Sequence, residues 1–104
     1  MIYLAKESNL QSKCLKYLKD KGIVAFNIHG GGWSAKGAPD VISCIQGKFI
    51  AFEFKVGKNG MQPDQKIWKK RIENCGGKHY CPRTFIEFKD VVNELNRREN
   101  NGKG

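Results

Sequence analysis

The chain has 104 residues, 39% of them apolar, which is enough for one hydrophobic core and too few for two domains. Nineteen Lys and Arg against ten Asp and Glu leave a formal net charge of +9, so the expected partner is polyanionic, with nucleic acid ahead of an anionic membrane surface. No run approaches the roughly 18 apolar residues of a membrane span, Met1 to Lys6 lacks a signal-peptide core, and the cysteines at 14, 44, 75 and 81 form no C-x-x-C pair that would hold zinc. These features lead to the expectation of a soluble cytoplasmic protein, with Cys14 and Cys44 as small core side chains. Cys75 and Cys81 flank a Gly-Gly turn, in a compartment that disfavours a disulfide.

In chain order, residues 5–21 read as a helix, with Leu10, Cys14, Leu15 and Leu18 at helical spacing and Gly22 as its stop. A strand over 23–28 precedes the glycine-rich loop His29 to Gly37. Strands over 40–45 and 48–56 are joined by the turn Gln46-Gly47. Lys58-Asn59-Gly60 is a turn, and a helix over 63–75 follows with Pro63 in its first turn and Ile67, Trp68, Ile72 and Cys75 facing the core. Lys78 to Cys81 adds a fourth strand. Thr84-Phe-Ile-Glu87 has the form of a capping box, opening a helix with Phe88, Val91, Val92 and Leu95 on its apolar side. The result is one small α/β domain over 1–96, of order αβββαβα, with a polar tail over 97–104.

In the strand over 48–56, Ile50, Phe52 and Phe54 face one way, joined by Val41 and Ile45; Phe49, Ala51, Glu53 and Lys55 face the other, with Ile42 and Cys44. Both faces carry apolar side chains, which predicts a central mixed sheet flanked by helices on its two sides. If Gln46-Gly47 is a two-residue turn, strand partners have numbers summing to 93, and Asp40 lies opposite Glu53. Opposed residues have Cβ atoms about 4.5–5.5 Å apart, where two like charges repel by roughly 3 kcal/mol at an effective dielectric near 20. A bound divalent cation is the simplest compensation. Hard carboxylate oxygens from Asp40 and Glu53 suit Mg²⁺ or Mn²⁺, which activates water and offsets charge on a phosphoryl group, and Lys55 would hold that water or the phosphate.

Gly37-Ala38-Pro39-Asp40 followed by Glu53-Phe54-Lys55 resembles the PD-(D/E)xK nuclease signature, and the chain is similar to the virus-type replication-repair nuclease (VRR-NUC) domains within that superfamily. The resemblance spans essentially the whole chain and implies the restriction-endonuclease-like core. It implies that Asp40 and Glu53 are metal ligands with the Phe54 carbonyl, that Lys55 is the catalytic lysine, and that Glu7 on the first helix binds a second metal or a metal-bound water. A family glutamine opening the next helix is matched by Gln65, with Gln62 as the neighbouring alternative. Read without the resemblance, Glu7 is an acid near a helix N-terminus.

Other residues carry lesser readings. His29 and His79 are titratable without an evident partner, and Gly30-Gly31-Gly32-Trp33 lacks the G-K-[ST] ending of a phosphate loop. Trp33 suits either a loop that stacks on DNA or a tucked surface loop. Lys36, Lys66, Lys69 and Lys70 are the expected phosphate contacts. The function expected is a metal-dependent, structure-specific DNA endonuclease acting at four-way junctions or flaps as a homodimer, in a bacterial or phage-infected cell. The alternatives are a restriction-type or nicking nuclease on the same fold, and a basic nucleic-acid-binding module without catalysis.

Overall fold

The computed structural model describes residues 2–28 and 35–97. The elements are α1 (Ile2–Asp20), β1 (Val24–Asn27), β2 (Val41–Ile45), β3 (Lys48–Phe52), α2 (Pro63–Asn74), β4 (Lys78–Tyr80) and α3 (Phe85–Asn96), the predicted order. The strands form one sheet in the order β1-β2-β3-β4, antiparallel except for the β3–β4 pair. The α2 segment supplies the crossover that a parallel neighbour requires.

The β2–β3 turn sets the register. Gln46 and Gly47 both have positive φ, 50° and 79°, as the two central residues of a type I′ hairpin turn must. Glycine takes that conformation without cost. The pairing that follows sets Val41 against Phe52 and Ile45 against Lys48, the register expected.

The inward face of this hairpin forms the core with two helices. Leu10, Cys14 and Leu18, four residues apart on α1, meet Val41, Ile45, Ile50, Phe52 and Phe54 of the sheet region and Phe88 and Val92 of α3. The Phe52 and Phe88 rings pack with centroids 4.9 Å apart. Thr84 caps α3 by accepting from the Glu87 N–H at 3.1 Å; the returning Glu87 carboxylate accepts from the Arg83 N–H, one residue earlier than a capping box requires.

Several expectations are corrected. The first helix begins by Ile2 rather than residue 5, and the third strand ends at Phe52 rather than at 56. Cys44, Ile67 and Cys75 are exposed rather than core residues. All four cysteines are free, and Cys14 is buried as expected. The second sheet face is covered only in part. The single helix on that side, α2, lies against β4, with Ile72 and Phe49 closing on Gly77. Val24, Phe26 and Phe49 are left 61%, 63% and 47% exposed. A helix is about 10 Å across and neighbouring strands are about 4.8 Å apart, so α2 docked on the edge strand β4 leaves the β1–β2 side bare. His29, Trp33 and the tail beyond Arg97, each given a reading above, lie outside the described residues. No described helix is long and apolar enough to cross a membrane.

His79, on β4 beneath α2, is buried with neither ring nitrogen hydrogen-bonded. Burial, and then the Lys69 ammonium, push its pKa down to about 4, while Glu73 opposes the shift. The fold therefore prefers the neutral ring. The associated stability is fully present above the unfolded value near 6.5 and drains away as pH falls towards 4, about 3 kcal/mol in all. Urea midpoints recorded from pH 7 to pH 4 should fall more steeply for the native chain than for His79→Leu. Parallel curves would mean that the imidazole is not held neutral.

Candidate active site

Asp40 and Glu53 stand where the paired part of the β2–β3 hairpin ends, and there the backbone leaves the regular ladder. The Asp40 carbonyl accepts from Ile28 N–H on the β1 side at 2.9 Å, whereas the Asp40 N–H turns to the Phe52 carbonyl on β3 at 3.0 Å. In a regular strand both groups of one residue point the same way. The Phe54 N–H finds its acceptor in the Asp40 carboxylate, at 2.8 Å. Glu53 N–H instead reaches across to Tyr80 of β4, at 2.9 Å. A side-chain oxygen thus closes the hairpin where a carbonyl would have, and it draws the backbone of Phe54 against the aspartate.

The two acids share one small space. Glu53 is 3% exposed, and its pKa is driven up to about 8, first by burial and next by the charge of Asp40, whose carboxyl it also contacts. Lys55 pulls in the opposite direction, so its ammonium lies within electrostatic reach of Glu53, and the charge of Glu7 on α1 adds to the rise. One Glu53 oxygen, Oε2, accepts from Gln65 Nε2 at 2.8 Å; the other, Oε1, is buried with no donor. Such an oxygen carries a desolvation cost of about 1–3 kcal/mol or more.

Gln65 rather than Gln62 is the glutamine that touches the site. Its Oε1 accepts from the Gln62 N–H at 2.8 Å, which orients its amide so that Nε2 faces Glu53. Gln62 is the residue that precedes α2. The structure thus gathers Asp40, Glu53, Lys55, Gln65 and the Phe54 backbone, with Glu7 close enough to be felt. Among the described residues no group of three or more His, Cys, Asp and Glu converges as a ready cage. The donor set brought together is a pair of carboxylates, whose hard oxygens suit a hard cation that keeps several waters. The orphaned Oε1 and the raised pKa of Glu53 fit such an ion.

The predicted phosphate contacts divide. Lys66 and Lys70 are exposed on α2. Lys36 is exposed, with Nζ 3.5 Å from Asp64 Oδ2, a surface pair contributing under about 1 kcal/mol. Lys69 is tied down, donating to Glu73 Oε2 at 2.8 Å and to the His79 carbonyl at 3.0 Å. Sequence reasoning placed Trp68 towards the core; it is half-buried, donating its indole N–H to the Lys36 carbonyl at 3.0 Å, with the Arg71 guanidinium 4.6 Å over its ring. Cys81 is a neighbour that sequence reasoning missed: Glu53, Lys55 and Asp40 all act on its thiol, although burial is the main reason its pKa is raised. Its position follows from the parallel pairing of Phe52 with Tyr80, which only the crossover establishes.

Because the folded-state pKa of Glu53 lies above its ordinary value of 4.5, its protonated form stabilises the metal-free fold. That contribution is complete below pH 4.5 and is lost as pH rises through 8. Glu53→Gln should therefore melt higher than the native chain at pH 9 in the presence of a chelator, and at the same temperature at pH 5. An equal gain at both pH values would show that the carboxylate is not strained by burial.

No family model matches the sequence, and no curated protein matches it. A solved structure described as a VRR_NUC domain superposes with a TM-score of 0.70 at 20% identity, covering 85% of this chain and 95% of that one. At this identity the likeness speaks for the fold. The four-stranded mixed sheet and its three helices make a small α/β domain consistent with a VRR-NUC nuclease fold.

Proposed function

We propose that this chain is a Mg²⁺- or Mn²⁺-dependent DNA endonuclease that hydrolyses phosphodiester bonds at branched DNA, such as four-way junctions or flaps. The observation that carries this reading is the buried, donorless oxygen of Glu53 held against Asp40. Two acids in that setting oppose a polyanion unless a cation lies between them. A chain of net charge +9 on a nuclease fold has no other evident use for them.

Asp40, Glu53 and the Phe54 carbonyl would hold the ion, and Glu7 would serve a second ion or reach the first through water. When bound, the ion supplies charge neutralisation at the phosphate and a more acidic water. The chain's own groups do the rest. Lys55 presents its ammonium to a phosphate oxygen as negative charge builds there. Gln65 keeps Oε2 of Glu53 occupied, so Oε1 would be the oxygen left to hold the ion. Water adds to phosphorus as the ester oxygen leaves and takes up a proton, giving a phosphomonoester and a hydroxyl end. Lys36, Lys66 and Lys70 are the exposed cations available to flanking phosphates, and Trp33 would stack on an unpaired base.

A symmetric junction requires two cuts, so the active species is proposed to be a homodimer. The uncovered Val24, Phe26 and Phe49 offer charge-free surface on which two strongly basic chains can meet. Sedimentation should give twice the chain mass of 11.8 kDa, reduced to that mass by Phe26→Lys. A native chain that sediments as a monomer on junction DNA would remove the dimer.

Labelled four-way junction, flap and linear duplex, each incubated with and without Mn²⁺, test the main reading. Metal-dependent cutting of the branched substrates is expected, with Asp40→Asn and Glu53→Gln at least ~10³-fold slower while holding DNA as well or better, since each substitution removes negative charge. Lys55→Ala should lose rate but keep Mn²⁺ binding. Tight DNA binding with no cleavage in either metal would instead identify a basic binding module, and equal cutting of linear duplex would identify a nicking or restriction-type enzyme.

A further inference from the structure

The segment that delivers Asp40 is held from outside the sheet. The Lys36 carbonyl accepts the Trp68 indole N–H, 3.0 Å away. At Gly37, φ is +84°, and a Cβ there would lie 2.4 Å from Asp64 Cβ and within 2.8 Å of its backbone carbonyl. That is backbone against backbone, with no flexible end to move aside. Ala38 N–H closes a turn onto the Ala35 carbonyl at 3.0 Å, and Ala38 and Pro39 are buried, so little freedom remains before Asp40. Asp64 and Trp68 are four apart on α2 and stack along one side of it. Gln65, between them, is the residue that holds Glu53. The first two turns of one helix therefore grip both acid-bearing segments, although those segments lie 13 residues apart in the chain.

We infer that Trp68 is a positioning residue: by hydrogen-bonding the Lys36 carbonyl it makes α2 a clip that sets the separation of the Asp40 and Glu53 carboxylates. The inference rests on the reading of these acids as a cation site and deepens it. Neither side chain of the clip need touch the ion or DNA. Trp68 acts through the backbone of Lys36 and Gly37, and Arg71, stacked 4.6 Å over its ring, steadies the indole from the outer side.

Trp68→Phe keeps an aromatic ring under Arg71 and removes the N–H, and Gly37→Ala attacks the same junction from the other side. Mn²⁺ titration by calorimetry and amide hydrogen exchange are measured on the native chain and on both variants. The expected result for each variant is Mn²⁺ affinity reduced about tenfold, faster exchange at Gly37, Ala38 and Asp40, unchanged exchange in α1 and α3, and unchanged metal-free affinity for DNA. Native Mn²⁺ affinity together with native exchange at 37–40 in Trp68→Phe would overturn the clip and leave the cation site standing. Faster exchange throughout the sheet and helices would also overturn it, by showing a general structural role. A native chain that takes up no Mn²⁺ would remove the cation site itself, and the inference with it.

Discussion

The site depends on the burial of one carboxylate beside another. Glu53 sits almost wholly out of water just past the end of β3, within contact of Asp40. Burial and the charge of Asp40 both disfavour its ionised form, and one of its oxygens is buried without a hydrogen-bond partner. An enclosed, unpaired carboxylate is costly to a fold, and the cation proposed for this site would offset that cost.

The surrounding elements divide the labour. The hairpin turn fixes which residues face each other, the core helices α1 and α3 anchor the opposite sheet face, and α2 handles the fine geometry. The last role is unusual in how it is executed. At Asp40 the ladder is abandoned, its N–H and carbonyl turning to different strands, and the carboxylate itself receives the Phe54 N–H. One aspartate oxygen is thereby committed to structure. Gly37 lets residues 36–38 press directly onto α2 on the way to Asp40.

Charge is distributed to match. The acids are enclosed, whereas the cations at 36, 66 and 70 lie on the surface, and Lys69 is diverted into holding Glu73 and the His79 carbonyl. A polyanion approaching α2 therefore meets positive charge before it meets the acid pair. The exposed sheet face formed by Val24, Phe26 and Phe49 is apolar, with Arg71 of α2 bordering it beside Phe49.

Much of this was legible in the residues themselves. Alternation along 48–54, the Gln46-Gly47 turn and the cap at Thr84 are local signals, and local steric rules suffice to read them: two-residue turns set pairing, and period-two patterns set faces. The convergence of Asp40 and Glu53 followed from that pairing. Other features were beyond reach because they depend on which elements meet. Ile67 and Cys75 have helical spacing suited to a core, but they stay exposed on α2, and Cys44 lies on the part of the second sheet face that α2, docked against β4, leaves uncovered. The capture of Lys69, the placing of Cys81 beside the acids and the grip of Trp68 on the Lys36 carbonyl are contacts between distant segments. Periodicity along a chain reports only which side a residue takes; what stands on that side is decided when the helices dock.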